Sequence, residues 1–422
     1  MIRLTYLAER ITKREHYLRQ IRKIRKLFQE GNPALEVAKR IIRQSHPRHR
    51  KRVIRAFVIN QLLVGSNKRK EFSEKEGFYP PGFFLMSPTM RCNLRCHGCY
   101  AASYTKEDDL PYEVIDRVIK EANEMGMYYV CISGGEPFLR EDIFDIFEKH
   151  KNTSFMVYTN GTLIDDKMAK RLLKAGNVLT CLSLEGFKKE TDKRRGEGTF
   201  DKVMRAMDIL RKHRVLFAFS ATYTKENADI VTSDEFIEML IKKGCVIGWY
   251  FLYTPVGHHP NWNLVPTPEQ RAMLLRREQE IRDTRPILLA SFFIDGAVVG
   301  GCIAAGRRYF HINNKGDVEP CVFTHFAVDN IKKKSLKEVL NSPFFRAMRE
   351  RQAHEKNLMR TCPLHDHPEV LREVVASSGA HPTHPGAEQV ITKFADKMDE
   401  YAQEWAKVAD PIWENEYKHK RK

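Results

Sequence analysis

The chain has 422 residues, 42% of them apolar, and a formal charge of +17, which suits one large globular domain with appendages or two to three smaller ones. No run approaches the ~20 consecutive apolar residues of a membrane-spanning helix, and the charged start MIRLTYLAERITKREHYLRQ lacks a signal peptide's apolar block and cleavage site. A cytoplasmic protein is expected, in which nine cysteines point to metal or catalysis before disulfides.

Residues 1–80 hold 21 Lys and Arg against 7 Asp and Glu, so +14 of the charge lies there. A segment this basic suits a polyanionic partner: anionic lipid, nucleic acid or an acidic peptide. Residues 1–78 read as a basic amphipathic helical extension. Leu4, Leu7, Ile11, Leu18, Ile21, Ile24 and Phe28 recur at three- and four-residue steps in a first helix. Asn32-Pro33 opens a second, which His46-Pro47 closes. A third runs from about Lys51 to Val64 and is expected to stop at Gly65-Ser66-Asn67. Its apolar stretch Ala56–Val64 suits an anionic membrane surface, apolar face down; the alternative is that it packs on the main domain.

Tyr79-Pro80-Pro81-Gly82 marks a boundary. Over 79–265, strands are expected at Phe83–Pro88, Tyr128–Ser133, Ser154–Thr159, Val178–Leu184, Val215–Thr222 and Val246–Tyr253. Helices fall between them at roughly 111–125, 141–150, 165–175, 200–213 and 233–243. This alternation predicts an α/β fold with a parallel sheet, open or curled into a partial (β/α)6 barrel, with ligand sites at the carboxyl ends of its strands. A long helix (Glu269–Arg282) opens a region over 266–385 that contains a hairpin-like stretch at 295–325. Residues 386–422 read as an amphipathic helix over 386–416 and a basic tail.

Directly after the first strand stand Cys92, Cys96 and Cys99 on one loop. Three thiolates at C-x3-C-x2-C hold three irons of a cubane and leave the fourth open to chelate a small molecule; zinc sites pair such a unit with a further ligand at finger spacing, and none follows. With Tyr100 behind it, this motif resembles the signature of the radical S-adenosylmethionine (SAM) superfamily. Gly134-Gly135-Glu136-Pro137 ends the second strand and is similar to the family's GGEP element. Thr159-Asn160-Gly161 ends the third, and Ser183-Leu184-Glu185-Gly186 the fourth, like the family's T-N-G and S-x-D/E-G. Arg194-Arg195-Gly196 with Thr199-Phe200 resembles its R-G-x-G-[ST]-F turn.

The resemblance covers roughly residues 83–255. It implies a [4Fe–4S] cluster on the three cysteines and SAM held by Tyr100, Gly134, Gly135, Glu136, Pro137, Thr159, Asn160, Ser183, Glu185 and Arg195. Glu136 would hold the methionyl amino group, Glu185 reach the ribose, and Arg195 pair with the methionyl carboxylate. A 5′-deoxyadenosyl radical would then take hydrogen from an unactivated C–H bond, fed by an external flavodoxin- or ferredoxin-like electron donor.

Cys302 and Cys321, with Gly316 five positions before the latter, resemble the opening of the SPASM and twitch domains, and Cys362 supplies a third thiolate. This implies one auxiliary [4Fe–4S] cluster, its fourth ligand being His365, Asp366, His367, water or substrate. No further closely spaced cysteines follow, so a second auxiliary cluster is not expected. Cys131, Cys181 and Cys245 lie in or beside strands and read as core residues. His381 and His384 read as loop histidines, while His258-His259 after the sixth strand are placed to line the cofactor pocket.

The basic extension leads to a small-molecule or lipid substrate as the first expectation, with the protein peripheral at the inner face of the membrane. Peptide or protein modification is the alternative, then cofactor-precursor or RNA modification. Nucleic acid is disfavoured because no RNA-binding signature is visible.

Overall fold

The computed structural model describes residues 2–11, 18, 21–22, 25–26, 29–30, 32–105, 107–257, 259–352 and 356–418. An N-terminal arm comprises α1 (Ile2–Ile11), α2 (Pro33–Gln44), α3 (Pro47–Val53), a π-helical stretch (Ile54–Val64) and α4 (Gly65–Glu76). The main body follows as β1 (Phe84–Met86), α5 (Tyr112–Glu124), β2 (Tyr129–Ile132), α6 (Ile143–Lys149), β3 (Ser154–Thr159), α7 (Asp166–Ala175) and β4 (Val178–Leu184). It continues with α8 (Lys188–Arg195), α9 (Thr199–Lys212), β5 (Phe217–Tyr223), α10 (Asp234–Lys243), β6 (Ile247–Leu252), α11 (Pro268–Thr284) and β7 (Leu288–Ser291). The C-terminal region adds short strands β8 (His311–Ile312), β9 (Val318–Glu319) and β10 (Phe326–Ala327). After them come α12 (Leu336–Leu340), α13 (Pro343–Gln352), α14 (Pro368–Ser378), β11 (His381–Pro382) and α15 (Ala395–Ile412).

Nine strands form one sheet in the order β7-β6-β5-β4-β3-β2-β1-β8-β9. Only the β8–β9 pair is antiparallel; all other neighbours in this sheet are parallel. The six expected strands are β1 to β6. Local chemistry fixes many of the intervening helices: Asp165 caps α7 by accepting from Met168 N, Ser233 caps α10, and Thr267 with Gln270 forms a reciprocal capping box on α11. Gly176 and Gly244 end α7 and α10 in the left-handed region that side chains disfavour. Among the described residues no ladder pairs β7 with β9, so the sheet is an open, curled barrel. Rings stand at that gap, with Phe292 meeting Tyr309 edge-on at 5.1 Å.

Two expectations change and a third is extended. The third N-terminal helix does not stop at Gly65, because the arm stays helical from Pro47 to Glu76 and ends at Gly77 (φ 78°). Gly65 is helical itself, and a Cβ there would lie 2.5 Å from Gly126 O; it is a packing glycine, not a stop signal. The hairpin-like 295–325 stretch does hold an antiparallel pair, β8 with β9, and in addition β8 pairs in parallel with β1 and extends the sheet. The helix expected over 386–416 begins at Ala395, after a 3-10 turn (Ala387–Ile391) that breaks at Thr392. In the first helix, Ile24 and Phe28 lie outside the described residues.

Candidate active site

At the carboxyl ends of β1 to β5 the loops enclose a cavity of about 810 Å3. Cys92, Cys96 and Cys99 line it together, on the loop that follows β1. Neighbouring loops fix that loop: Gly135 N donates to Thr89 O (3.0 Å) and Glu136 N to Arg91 O (2.8 Å), while His97 N donates to Arg194 O (2.9 Å). The paired glycines are what allow this approach, for a Cβ at Gly134 would lie 2.2 Å from Thr89 O and one at Gly135 2.1 Å from Arg91 O. Asn160 ties the third strand to the same loop, donating to Asn93 Oδ1 at 2.8 Å and reaching Cys92 Sγ at 3.9 Å.

The other expected cofactor residues divide. Tyr100, Gly134, Gly135, Thr159, Asn160, Ser183 and Arg195 line the cavity, whereas Glu136, Pro137 and Glu185 are not on its wall. Glu136 is fully buried and accepts from Thr159 Oγ1 (2.8 Å), Asn160 N (2.8 Å) and Phe138 N (3.1 Å). Burial pushes its pKa up to about 7 against those hydrogen bonds. Its carboxylate thus splices the second loop to the third.

Glu185 is likewise taken up within the protein. Its Oε1 accepts from Arg194 Nη1 (2.7 Å) and Arg195 Nε (2.8 Å), and its Oε2 from Thr222 N (3.1 Å). Arg195 thus shares the Glu185 carboxylate with Arg194. Two guanidinium groups share one carboxylate, Arg194 Nε is buried without a partner, and no Asp or Glu lines the cavity. The Arg194–Arg195–Glu185 group keeps one net positive charge, and Arg95 adds a further cation to the wall, which matches an incoming carboxylate.

The cavity leads inward to a smaller chamber of about 130 Å3, walled by Ser220, Thr222, Phe251, Tyr253, Thr254 and Phe323. Tyr253 sits against the cysteine loop: Gly98 has φ 62°, and a Cβ there would lie 2.6 Å from the Tyr253 ring. His259 lines the cavity mouth; His258 lies outside the described residues.

Cys302, Cys321 and Cys362 line a third cavity of about 400 Å3, beside Phe292, Phe293 and Tyr309. Tyr309 Oη donates to Cys321 Sγ at 2.8 Å. Burial pushes the Cys302 and Cys321 thiols up to about 12, and Cys92 to about 11; unliganded thiolates are disfavoured at both sites, and iron must displace the proton. Each of the three protein candidates for a fourth ligand has a partner elsewhere, although His365 Nδ1 is buried with none. His365 Nε2 meets Thr254 Oγ1 (2.9 Å), and His367 meets Glu369 Oε1 (3.2 Å) and Arg360 O (3.0 Å). Asp366 accepts from Arg271 Nη1 (2.7 Å) and Cys362 N (2.9 Å).

Among the described residues no three His, Cys, Asp or Glu side chains converge on a single metal ion. A cubane, by contrast, binds each thiolate to a different iron and spreads the sulfurs apart.

The family model for the radical SAM superfamily matches residues 86–237, and that for the SPASM iron–sulfur cluster-binding domain matches residues 302–363. The mycofactocin maturase MftC of Mycobacterium tuberculosis (strain CDC 1551 / Oshkosh) is 30% identical over 285 residues, covering 63% of this chain and 72% of that protein. This chain belongs to the radical SAM superfamily. An AdoMet-dependent heme synthase of Methanosarcina barkeri is 25% identical over 301 residues, 64% of this chain and 85% of its own length. Among solved structures, Streptococcus suis SuiB bound to SAM superposes with a TM-score of 0.58 at 20% identity, covering 71% of this chain and 76% of that one. The SAM-bound anSMEcpe covers 77% and 99%, with a TM-score of 0.55 at 20% identity. These likenesses support the α/β barrel architecture.

As a radical SAM enzyme with a SPASM-type extension, the protein uses SAM and [4Fe–4S] clusters. The cavities suit them: three soft thiolates stand at each, and about 810 Å3 lies within the range of cofactor pockets. Sequence reading missed Arg194 and Thr222, while Tyr253, read as lining the pocket at the end of the sixth strand, does wall the inner chamber. Arg194 was visible beside Arg195, and the Tyr253 contact was signalled by Gly98, but only the folded chain brings β6 against the cysteine loop.

A buried polar cluster was also missed. Glu319 meets His311 Nδ1 (2.6 Å) and accepts from Tyr104 Oη (2.7 Å) and Thr383 Oγ1 (2.5 Å). Burial raises its pKa, but the adjacent His311 outweighs this and holds the carboxyl well below its usual range. Ser87 and Ser133 extend this cluster to Tyr100 Oη, through contacts of 2.8–3.1 Å.

Proposed function

We propose that this radical SAM enzyme modifies a side chain of a peptide or protein at an unactivated C–H bond. The observation that carries the reading is the size of the inner chamber. At about 130 Å3 it is well below the ~300 Å3 at which small-molecule pockets begin. It admits one side chain, with the bulk of the substrate held outside the chamber. The likeness to mycofactocin maturases supports the same class.

A tetrapyrrole-type precursor, suggested by the likeness to heme synthases, fits the chamber less well. The lipid expectation rested on Ala56–Val64. That stretch packs near the amino ends of β2 and β3, with Phe57 against Tyr129 (5.4 Å) and Asn60 donating to Asn152 O (2.8 Å). It lies at the opposite pole from the cysteine loop, so a lipid taken up there is not delivered to the site.

In this reading Cys92, Cys96 and Cys99 hold the radical cluster, and Cys302, Cys321 and Cys362 an auxiliary one. Bound there and reduced by an external donor, the first cluster would supply the electron for reductive cleavage of SAM and so the hydrogen-abstracting chemistry. The chain's own residues do the rest. Gly134 and Gly135 keep the cysteine loop in register, Arg194 and Arg195 orient the methionyl carboxylate, and Thr159, Asn160 and Ser183 line the remainder of the cofactor's bed. Phe251, Tyr253 and Phe323 exclude water from the chamber.

The test is 5′-deoxyadenosine release by reconstituted, anaerobic enzyme given fractionated extracts of the source cells. Stimulation by a small-peptide fraction, abolished by prior protease treatment, is expected. Protease-insensitive stimulation by a lipid or porphyrin fraction would refute the reading.

A further inference from the structure

Between Glu36 and Glu71 the chain has 11 Lys and Arg and no acidic residue. Within this stretch the π-helical Ile54–Val64 turns one face to the barrel. Ala56 and Gln61 are buried there, and Gln61 holds both Gly82 O (2.5 Å) and Tyr128 N (2.7 Å). The other face is apolar and open: Ile54, Val58, Ile59, Leu62, Leu63 and Val64 are each 40–48% exposed. Six of the twelve exposed large hydrophobic residues among the described residues thus fall within eleven positions. Lys51 and Arg55 stand exposed at one end of the ridge and Lys70 at the other. Lys51 and Arg55 form no ion pair among the described residues.

We propose that this ridge docks the enzyme on an anionic phospholipid bilayer. An isolated apolar ridge of this size on a soluble surface calls for a partner. Its shape and charge select which one. None of the cavities described above reaches these six residues, which stand as a ridge. Aliphatic side chains bracketed by cations, with no carboxylate on the segment to repel phosphate, suit insertion between anionic headgroups.

The arm is held firmly enough to transmit docking to the whole molecule. Gly65 crosses Gly126 at backbone contact, Arg69 donates to Gly126 O (2.6 Å), and Arg40 donates to Ile241 O (2.8 Å) and Cys245 O (2.9 Å). Because the ridge sits at the amino ends of the strands, docking leaves the cavity mouth facing away from the membrane. The bilayer is a place of attachment, not the source of substrate.

The test is co-sedimentation of the full-length holoenzyme with vesicles of phosphatidylglycerol and phosphatidylcholine, against phosphatidylcholine alone. Binding to the anionic vesicles, weakened by salt, is expected. Lys51→Gln with Arg55→Gln lowers the partition coefficient by about fivefold per charge, and Ile59→Asp with Leu62→Asp lowers it by about tenfold or more. Iron content and SAM affinity stay unchanged in both. Absence of binding at low salt, or equal binding by the Ile59/Leu62 variant, overturns the proposal. So does a wild-type dimer in light scattering that the same variant dissociates, or binding of an acidic amphipathic peptide without vesicle binding.

Discussion

Glu185 places two arginines on one buried carboxylate, and that small imbalance is the clearest electrostatic feature of the site. Each guanidinium loses part of its compensation to the other, leaving charge for the methionyl carboxylate. Arg194→Gln and Arg195→Gln should each weaken SAM binding by about 10- to 150-fold, the range for a hydrogen bond to a charged group; anaerobic equilibrium dialysis measures this, and an unchanged Kd for both would remove the role. A second residue-scale prediction concerns His49, which is fully buried with neither ring nitrogen bonded. Burial lowers its pKa to about 4. The unfolded chain binds a proton near 6.5 that the folded chain refuses, so stability falls as pH drops from about 6.5 to 4, by about 3 kcal/mol at most. His49→Leu should abolish that part of the acid sensitivity in urea unfolding midpoints. Neither effect was legible in the sequence. The cysteines and loop motifs stand in contiguous order there, but whether a carboxylate faces a cofactor or a neighbouring arginine is decided by side chains nine or more positions apart.

At the scale of elements, the strands and most helices were legible because their signals are local: alternation, Asp and Ser caps, and left-handed glycines. The failures share one cause. Gly65 carries the same residue type as Gly77, yet only the second is a stop; the first is a contact with Gly126, a residue 61 positions away. The two glycines therefore respond differently to a methyl group. Gly65→Ala forces a Cβ to 2.5 Å from a backbone oxygen and should cost about 1–3 kcal/mol, with faster amide exchange along the arm. Gly77→Ala meets open space and should cost only the left-handed backbone penalty of about 1 kcal/mol. Equal losses in the two variants would show that the arm does not rest on that crossing. β7 lies beyond the six expected strands, and β8 falls within the stretch expected to be hairpin-like.

For the whole molecule, one buried ion pair links the barrel to the auxiliary site. Arg271 is completely buried on α11, lies over the Trp405 ring of α15 at 4.2 Å, and holds Asp366, which in turn fixes the backbone N–H of Cys362. Breaking such a pair leaves an uncompensated buried charge, at a cost of about 3–5 kcal/mol. Asp366→Ala should thus lower stability and loosen the auxiliary cluster while sparing the radical cluster. The central claim is that two iron–sulfur clusters sit on two separate cysteine triplets. Its most direct test is iron and sulfide per chain after anaerobic reconstitution, for wild type and for alanine variants of Cys92/Cys96/Cys99 and of Cys302/Cys321/Cys362. About eight irons in wild type and about four in each variant are predicted. About four in wild type, unchanged by replacing Cys302, Cys321 and Cys362, would contradict the account.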